Sequence, residues 1–261
     1  MKIAIYQIDA FTNERFKGNP AAVCPLDSWL PDAVMQDIAA ENNLAETAFI
    51  VPSADHFEIR WFTPTVEVDL CGHATLASAH ILFNELGFAG DQVNFVSHRS
   101  GPLSVTKHGS VLALNFPVDT MTELPILPEH SIGLSQSPRA VLKGKTDYLF
   151  VYDSEAEIRA LQPDFEALKT HPVRGIIVTA PGVTTDFVSR FFGPNCGVNE
   201  DPVTGSAHTT LTPYWAAVLG KTELTARQLS QRTGDLTCKL LGDRVEIAGE
   251  AVLYLRGEIE I

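Results

Sequence analysis

The stretch RWFTP at residues 60–64 reappears as RFFGP at residues 190–194, 130 residues further along the chain. Beyond this stretch the offset becomes 133, as between Gly72 and Gly205. A nearly constant offset over several landmarks is typical of an internal duplication. The sequence therefore predicts two similar halves, and the second half carries three extra residues just before its glycine, in the segment that contains Asp201.

The length and composition agree with two globular domains. The chain has 261 residues, of which 45% are hydrophobic and 20% are charged. This length favours two domains of about 110 to 130 residues each. Residues 117–128 hold three prolines and show no periodicity, so we place the interdomain link there. The predicted domains are residues 1–116 and 129–257.

The charge and the cysteines narrow the possible partners and the compartment. A net charge of −13 without any basic run opposes binding to nucleic acid or to anionic membrane surfaces. The first residues alternate like a strand, so we expect no leader peptide, and no run of about 18 apolar residues is uninterrupted. Four scattered cysteines fit reduced thiols better than a disulfide framework or a zinc site. We expect a cytoplasmic, soluble enzyme.

Hydrophobic patterning predicts an α+β architecture. Residues 57–61 alternate like a strand, whereas residues 74–83 are apolar almost all round and predict a buried helix that begins at Gly72. A corresponding helix is predicted to begin at Gly205, and hairpins follow both helices. Each half is thus predicted to wrap a sheet around a central helix. Residues 252–261 are predicted to form a strand pair split at Gly257.

The two helix starts are candidate binding elements. The first turn of a helix has free N–H groups and a partial positive charge, which suit a carboxylate. Duplicated domains often bind a ligand between their copies, so both helix starts are expected to hold one small carboxylate-bearing molecule.

Four separated motifs resemble a known family. They are GNPAAV at residues 18–23, NLAETA at 43–48, FTP through EVDLCGHAT over 62–75, and NEDPVTGSAH at 199–208. Their order resembles that of the PhzF family of phenazine-biosynthesis-like isomerases over nearly the whole chain. The resemblance implies a diaminopimelate-epimerase-like fold of two pseudo-symmetric domains, a catalytic cleft between them, no cofactor and a homodimer. It also allows the last residues, near 258–261, to return to the first domain.

The resemblance also assigns roles to individual residues. It implies that Glu46 is the acid/base carboxylate and that His73, Asp201 and Ser206 complete the catalytic group. The residues implied in substrate binding are Gly72, Gly205, Ala74, Ala207 and Asn19. The residues themselves allow simpler roles: an isolated glutamate is usually solvated, an aspartate before a proline often starts a turn, and a serine often caps a helix.

Cys71 and His208 receive no catalytic role. Diaminopimelate epimerase and its relatives use one cysteine from each domain, but the second half of this chain offers Thr204 opposite Cys71. Threonine is too weak an acid to replace a thiol, so a two-thiol mechanism is excluded. His208 is expected to reach only the rim of the cleft. The histidines show no metal-ligand spacing, and we assign no metal.

We therefore predict a cofactor-independent isomerase that moves a proton between carbons of a small carboxylate-bearing substrate. In the phenazine member of the family this substrate is a dihydro-hydroxyanthranilate, a cyclohexadienyl carboxylate. Two alternatives stay open: a racemase or epimerase of amino or hydroxy acids that uses Cys71 and Asp201, and a non-catalytic carboxylate-binding protein of the same fold.

Overall fold

The computed structural model describes residues 1–261. The strands in chain order are β1 (Lys2–Ala10), β2 (Asn19–Pro25), β3 (Glu46–Pro52), β4 (Phe57–Phe62), β5 (Glu67–Val68), β6 (Gln92–Ser97), β7 (Gly101–His108), β8 (Val111–Pro117), β9 (Thr122–Leu124), β10 (Ala140–Lys143), β11 (Asp147–Val151), β12 (Gly175–Pro181), β13 (Phe187–Gly193), β14 (Val198–Glu200), β15 (Glu223–Gln228), β16 (Gly234–Leu241), β17 (Arg244–Gly249) and β18 (Ala251–Glu260). The helices are α1 (Asp32–Asn42), α2 (Gly72–Asn84), α3 (Glu155–Ala160), α4 (Phe165–Leu168) and α5 (Gly205–Leu219), with short 3-10 turns at Pro128–Ser131 and Pro194–Cys196. None of the helices is long and apolar enough to span a membrane.

The chain forms two compact units. The first comprises residues 1–115 and 248–261, and the second comprises residues 116–247. Strand β9, within the segment predicted as a link, pairs with β10 and is therefore part of the second unit. The second unit ends at residue 247, ten residues before the predicted end of the second domain at 257, and the chain then enters the first unit again.

The first unit wraps its sheet around α2. Strand β1 pairs with both β18 and β2, β2 runs parallel to β3, and β3 is antiparallel to β4. Helix α2 is buried on nearly every side and packs against β1, β2 and β3. Helix α1 covers the other face, where Met35 and Ile38 contact a cluster that includes Phe49. The predicted α+β architecture and the helix start at Gly72 are confirmed.

The second unit repeats this arrangement around α5. Strands β11 and β12 are parallel, β12 and β13 are antiparallel, and β13 runs parallel to β15. Helix α5 packs against β15 and β16. Helices α3 and α4 contribute Ile158 and Leu168 to a cluster with Phe192 on the opposite face. The helix start predicted at Gly205 is confirmed.

The repeated stretch builds the same side-chain stack in both units. The Arg60 guanidinium lies 5.2 Å from the Phe62 ring centre and donates to both carboxylate oxygens of Glu67, at 2.7 and 2.9 Å. Arg190 lies 4.9 Å from the Phe192 ring and binds Glu200 in the same way, at 2.8 and 3.0 Å. A bidentate guanidinium-carboxylate pair stacked on a ring requires an arginine, a glutamate and an aromatic residue. This requirement explains why all three residue types recur in the second unit.

The spacing between each arginine and its glutamate partner locates the three-residue insertion and corrects one expectation. Glu67 follows Arg60 by seven residues, whereas Glu200 follows Arg190 by ten. Because both glutamates make the same contact, the extra residues lie before Glu200, around the 3-10 turn Pro194–Cys196. Asp201 comes after the insertion and occupies the position of Val68, so its placement within the inserted residues is wrong.

Pro213 lies inside α5 without ending the helix. Proline lacks an N–H group, so the carbonyl of Thr209 loses its usual helical donor. The backbone N–H of Asp119 donates to that carbonyl at 3.2 Å, and the Asp119 carboxylate accepts from Thr210 Oγ1 at 3.0 Å. A residue outside the helix thus replaces the missing hydrogen bond.

The C-terminal strand differs from the prediction. Strand β18 runs through Gly257 without a turn and pairs with β1 from Ala10 to Lys2, with Gly257 opposite Ile5. The predicted split at Gly257 is wrong because β1 offers one continuous edge, along which a single strand satisfies its backbone hydrogen bonds.

Candidate active site

Glu46 stands at the start of β3, where the chain leaves α1. Helix α1 ends at Asn42, and the next residue, Asn43, adopts the left-handed conformation that stops a helix, with φ of 49°. The Glu46 side chain is 15% exposed, and its Oε2 lies 3.1 Å from Nε2 of His73. This is an ion-pair distance, although the angles do not meet those of a regular hydrogen bond and Oε2 has no other partner. Glu46 is therefore a sequestered carboxylate that can still accept a proton.

His73 is the second residue of α2 and is buried. Its Nδ1 lies 3.1 Å from the side-chain nitrogen of Asn19, the first residue of β2. Both ring nitrogens thus face polar groups, which fixes the orientation of the ring. With its nitrogen towards Nδ1, the Asn19 amide donates to a neutral imidazole, and rotation of the amide by 180° would present its oxygen to a protonated one.

The surroundings of His73 favour its charged form. Burial alone would lower the pKa of His73, but the charge of the Glu46 carboxylate, 3.1 Å away, raises it above its ordinary value. A protonated imidazole at this distance can form an ion pair with the Glu46 side chain.

Cys71 precedes α2 and completes a group of three side chains. Its Sγ lies 3.5 Å from Nδ1 of His73, and burial, followed by the Glu46 charge, raises the pKa of the thiol to about 11. The ligand atoms of Glu46, Cys71 and His73 lie within 4.8 Å of one another, a spacing that a metal ion could bridge. The same three side chains can also exchange protons with one another or with a substrate.

In the second unit, Asp201 and Thr204 form a hydrogen-bonded pair before α5. Thr204 Oγ1 donates to Asp201 Oδ2 at 2.5 Å, and the buried Gln228 side chain donates to the Asp201 carbonyl at 2.7 Å. Gln228 also accepts from the Thr204 N–H at 2.9 Å, which satisfies a backbone donor at the helix start. These contacts hold Asp201 at a fixed place beside the first turn of α5.

Ser206 occupies the position in α5 that His73 has in α2. Its Oγ accepts a hydrogen bond from Nη2 of Arg174 at 3.2 Å. Arg174 also donates from Nε to the buried Asp147 carboxylate at 2.9 Å and makes a second, shorter contact to it through Nη2. Sequence reasoning missed Arg174 and Asp147 because both are distant from Ser206 along the chain.

The remaining residues predicted for substrate binding lie at the two helix starts. Gly72 and Gly205 are the first residues of α2 and α5. The side chains of Ala74 and Ala207 are buried in the helix cores, which leaves their backbone groups as possible contacts. The structure thus brings Asn19, Glu46 and His73 together in the first unit, and Asp201 and Ser206 belong to the second.

His208 is a core residue, and its expected position at a cleft rim is wrong. The ring is fully buried and packs against Phe187, with ring centres 5.9 Å apart. Its Nδ1 lies 2.9 Å from the Thr204 carbonyl, so Nδ1 carries the proton and Nε2 is left without a partner. Thr75 makes the equivalent contact to the Cys71 carbonyl at 2.6 Å, which shows why the helix tolerates either residue.

We expect His208 to destabilise the fold in acid. Burial lowers its pKa from 6.5 to about 4, so the folded protein keeps the ring neutral while the unfolded chain takes up a proton. The stability that the neutral ring provides is fully present above pH 6.5 and is lost as the pH falls towards 4. The free energy of unfolding then decreases by up to about 3 kcal/mol. His208→Gln keeps a donor for the Thr204 carbonyl without titrating. Urea unfolding of both proteins between pH 7 and pH 4 should show a smaller loss in the variant, and parallel curves would contradict this assignment.

Comparisons with known proteins agree with this architecture. The family model described as phenazine biosynthesis-like protein (PhzC-PhzF) matches residues 8–257. An isomerase of Pseudomonas aeruginosa, described as uncharacterized, is 52% identical with both chains fully covered. A PhzF-family crystal structure from Enterococcus faecalis is 48% identical and superposes with a TM-score of 0.97 over both full chains. A predicted epimerase of Pseudomonas aeruginosa, 20% identical, shares the fold with a TM-score of 0.73 over 98% of this chain and 99% of its own.

The fold and these relatives define an isomerase-type enzyme with an epimerase-like fold of two similar units. This confirms the predicted fold class and the enzyme class. The chain belongs to the PhzC-PhzF family of phenazine biosynthesis-like proteins.

Proposed function

We propose that this isomerase moves a proton between two carbons of a small carboxylate-bearing substrate without a cofactor, with Glu46 as the acid/base group. The observation that carries the proposal is the sequestered Glu46 carboxylate, 3.1 Å from His73 and with an oxygen that has no regular hydrogen-bond partner. A buried carboxylate without a full set of partners is costly, and such groups are typical of catalytic sites.

The proton shift needs no further reagent. Glu46 removes a proton from one carbon, the C–H electron pair forms a new double bond, and the adjacent double bond shifts along the chain of carbons. The protonated Glu46 then returns the proton to the distal carbon, so the carboxylate is regenerated and substrate and product are isomers. His73 stabilises the carboxylate before and after the transfer. Asp201 and Ser206 serve in this proposal as polar groups that bind the substrate.

A racemase mechanism with Cys71 as the second base fits less well. A thiol is an effective base only as a thiolate, yet burial and the Glu46 charge raise the pKa of Cys71 to about 11. In the second unit the residue before the central helix is Thr204, which cannot supply a thiol. A single carboxylate that carries the proton is the simpler mechanism.

The proposed activity can be tested with dihydro-hydroxyanthranilate as the first probe, followed by other cyclohexadienyl carboxylates and by single enantiomers of amino and hydroxy acids. The isomerase proposal predicts a change in ultraviolet absorbance as conjugation moves. Loss of optical rotation without an absorbance change would identify a racemase instead. Calorimetric binding without any turnover would support a non-catalytic carboxylate-binding protein and would refute the proposal.

The compartment and the assembly belong to the same proposal. All four cysteines are free thiols, which supports a reducing cytoplasm. The homodimer implied by the family resemblance can be checked by light scattering of the purified protein, and a monomer mass would exclude it.

A further inference from the structure

The Arg174 guanidinium is held rigidly beside the start of α5. Its Nε and Nη2 bind the two carboxylate oxygens of Asp147, whose side chain is 3% exposed. The guanidinium also lies 5.4 Å from the centre of the Phe191 ring. A planar cation that is anchored on one edge and stacked on a ring loses little freedom when its other edge binds a ligand.

The strand registers show that Arg174 lies one residue before the counterpart of Glu46. Ile176 pairs with Phe192 as Thr47 pairs with Phe62, so Gly175 occupies the position of Glu46. A side chain cannot be added there, because a Cβ on Gly175 would lie 2.3 Å from the Phe191 ring. The second unit has therefore replaced the glutamate by glycine and placed a cation one residue earlier.

The free donors of this group point to an anion. Asp147 uses Nε and part of Nη2, and Ser206 accepts the other Nη2 hydrogen, which leaves Nη1 without a protein acceptor. Because Ser206 Oγ accepts from Arg174, its own hydrogen remains available to a ligand. The Arg174 side chain is 38% exposed, so solvent and small ligands can reach it. One Nη1 hydrogen and the Ser206 hydroxyl can together bind a planar carboxylate.

We propose that Arg174, together with Ser206, binds the carboxylate group of the substrate. This inference rests on the proposed function and deepens it, since it names the residue that binds the charged group of the substrate.

The charges around Arg174 limit which anions it can bind. Burial alone would lower the pKa of Arg174, but Asp147 raises it, and Asp201 adds to this effect. Because two carboxylates outnumber one guanidinium, the net local charge does not attract anions, and binding depends on the directed hydrogen bonds of Nη1 and Ser206. A dianion such as inorganic phosphate is therefore expected to compete more poorly than a monoanion.

The experiment compares two probes of nearly equal shape, anthranilate and its neutral analogue anthranilamide. Titrations followed through the side-chain Nε–H signal of Arg174 by NMR should show a saturable shift with anthranilate and none with anthranilamide. Arg174→Lys keeps a cation beside the buried Asp147 and so preserves the fold. It removes the planar guanidinium that could bind Asp147 and a ligand at the same time. Because this variant lacks the Arg174 signal, its affinity is compared with that of the unmodified protein by calorimetry, and we expect anthranilate binding to weaken about tenfold or more.

Arg227 provides a matched control in the same unit. It donates from Nε and Nη2 to Asp235, at 2.6 and 3.1 Å, but makes no contact with Ser206. Arg227→Lys should bind anthranilate like the unmodified protein. Equal shifts with both probes, no shift at Arg174, or undiminished binding by Arg174→Lys would each overturn the proposal.

A failure of this inference can be told apart from a failure of the proposed function. Glu46→Gln should retain anthranilate binding at Arg174, because the two residues have separate roles. Selective anthranilate binding in a protein that isomerises none of the probes would support Arg174 as a carboxylate site and refute the isomerase proposal.

Discussion

Replacing Glu46 by glutamine is expected to lower turnover by about 10²- to 10⁴-fold, the usual contribution of a general acid/base. Glutamine has the same shape and can keep a polar contact with His73, which lies 3.1 Å from the Glu46 carboxylate. It cannot accept a proton from carbon. The KM for the probe substrate should change little, because Glu46 acts on the proton and does not anchor the carboxylate. Absorbance assays under saturating substrate give the turnover directly.

Glu58→Gln provides the matched control for this substitution. Glu58 lies in β4 of the same unit and accepts a hydrogen bond from Trp29 Nε1 at 2.5 Å, which the amide oxygen of glutamine can also accept. Turnover of this variant should remain close to that of the unmodified enzyme. If Glu46→Gln and Glu58→Gln were equally active, Glu46 would have no part in the chemistry.

Replacing Gly18 by alanine is expected to destabilise the protein by about 3 kcal/mol or more. Gly18 has φ of 63°, and an added Cβ would lie 2.2 Å from the Ala10 carbonyl oxygen and 2.7 Å from the Thr12 methyl group. The first of these contacts is with backbone, so the strand must move to relieve it. Asn19 follows directly and contacts His73, so we also expect turnover to fall in the fraction that folds.

Gly87→Ala separates the conformational cost from the clash. Gly87 has a similar φ of 70°, but a Cβ there would meet no atom within 4 Å. This variant should lose only about 1 kcal/mol, the cost of a left-handed conformation for a residue with a side chain. Urea denaturation of both variants measures the difference. Equal losses would show that the contact with Ala10 is relieved easily.

The sequence predicted the fold well because the duplication repeats residues whose contacts require particular partner side chains. Arg60 and Arg190 each need a ring beneath the guanidinium and a glutamate beside it, so both copies kept all three. The central helices were equally clear, since few surface elements are apolar on every side. The C-terminal strand was misread because Gly257 suggests a turn, whereas pairing with β1 decides the conformation.

The candidate site was predictable only where the residues lie within motifs. Glu46, His73 and Asn19 come from three different motifs, and the fold brings them together in one unit. Arg174 lies outside every motif, and its contacts with Asp147 and Ser206 bridge 27 and 32 residues. Only the strand register shows that it adjoins the counterpart of Glu46. His208 was misplaced because periodicity does not show which side of an apolar helix is enclosed.

The most direct test of Glu46 as the proton carrier follows a deuterium label placed on the carbon that loses its hydrogen. A single turnover of labelled dihydro-hydroxyanthranilate in ordinary water, analysed by mass spectrometry, should give product with part of the deuterium on the newly protonated carbon. The same transfer should be absent in Glu46→Gln. Label transfer at an unchanged rate in Glu46→Gln would contradict the mechanism.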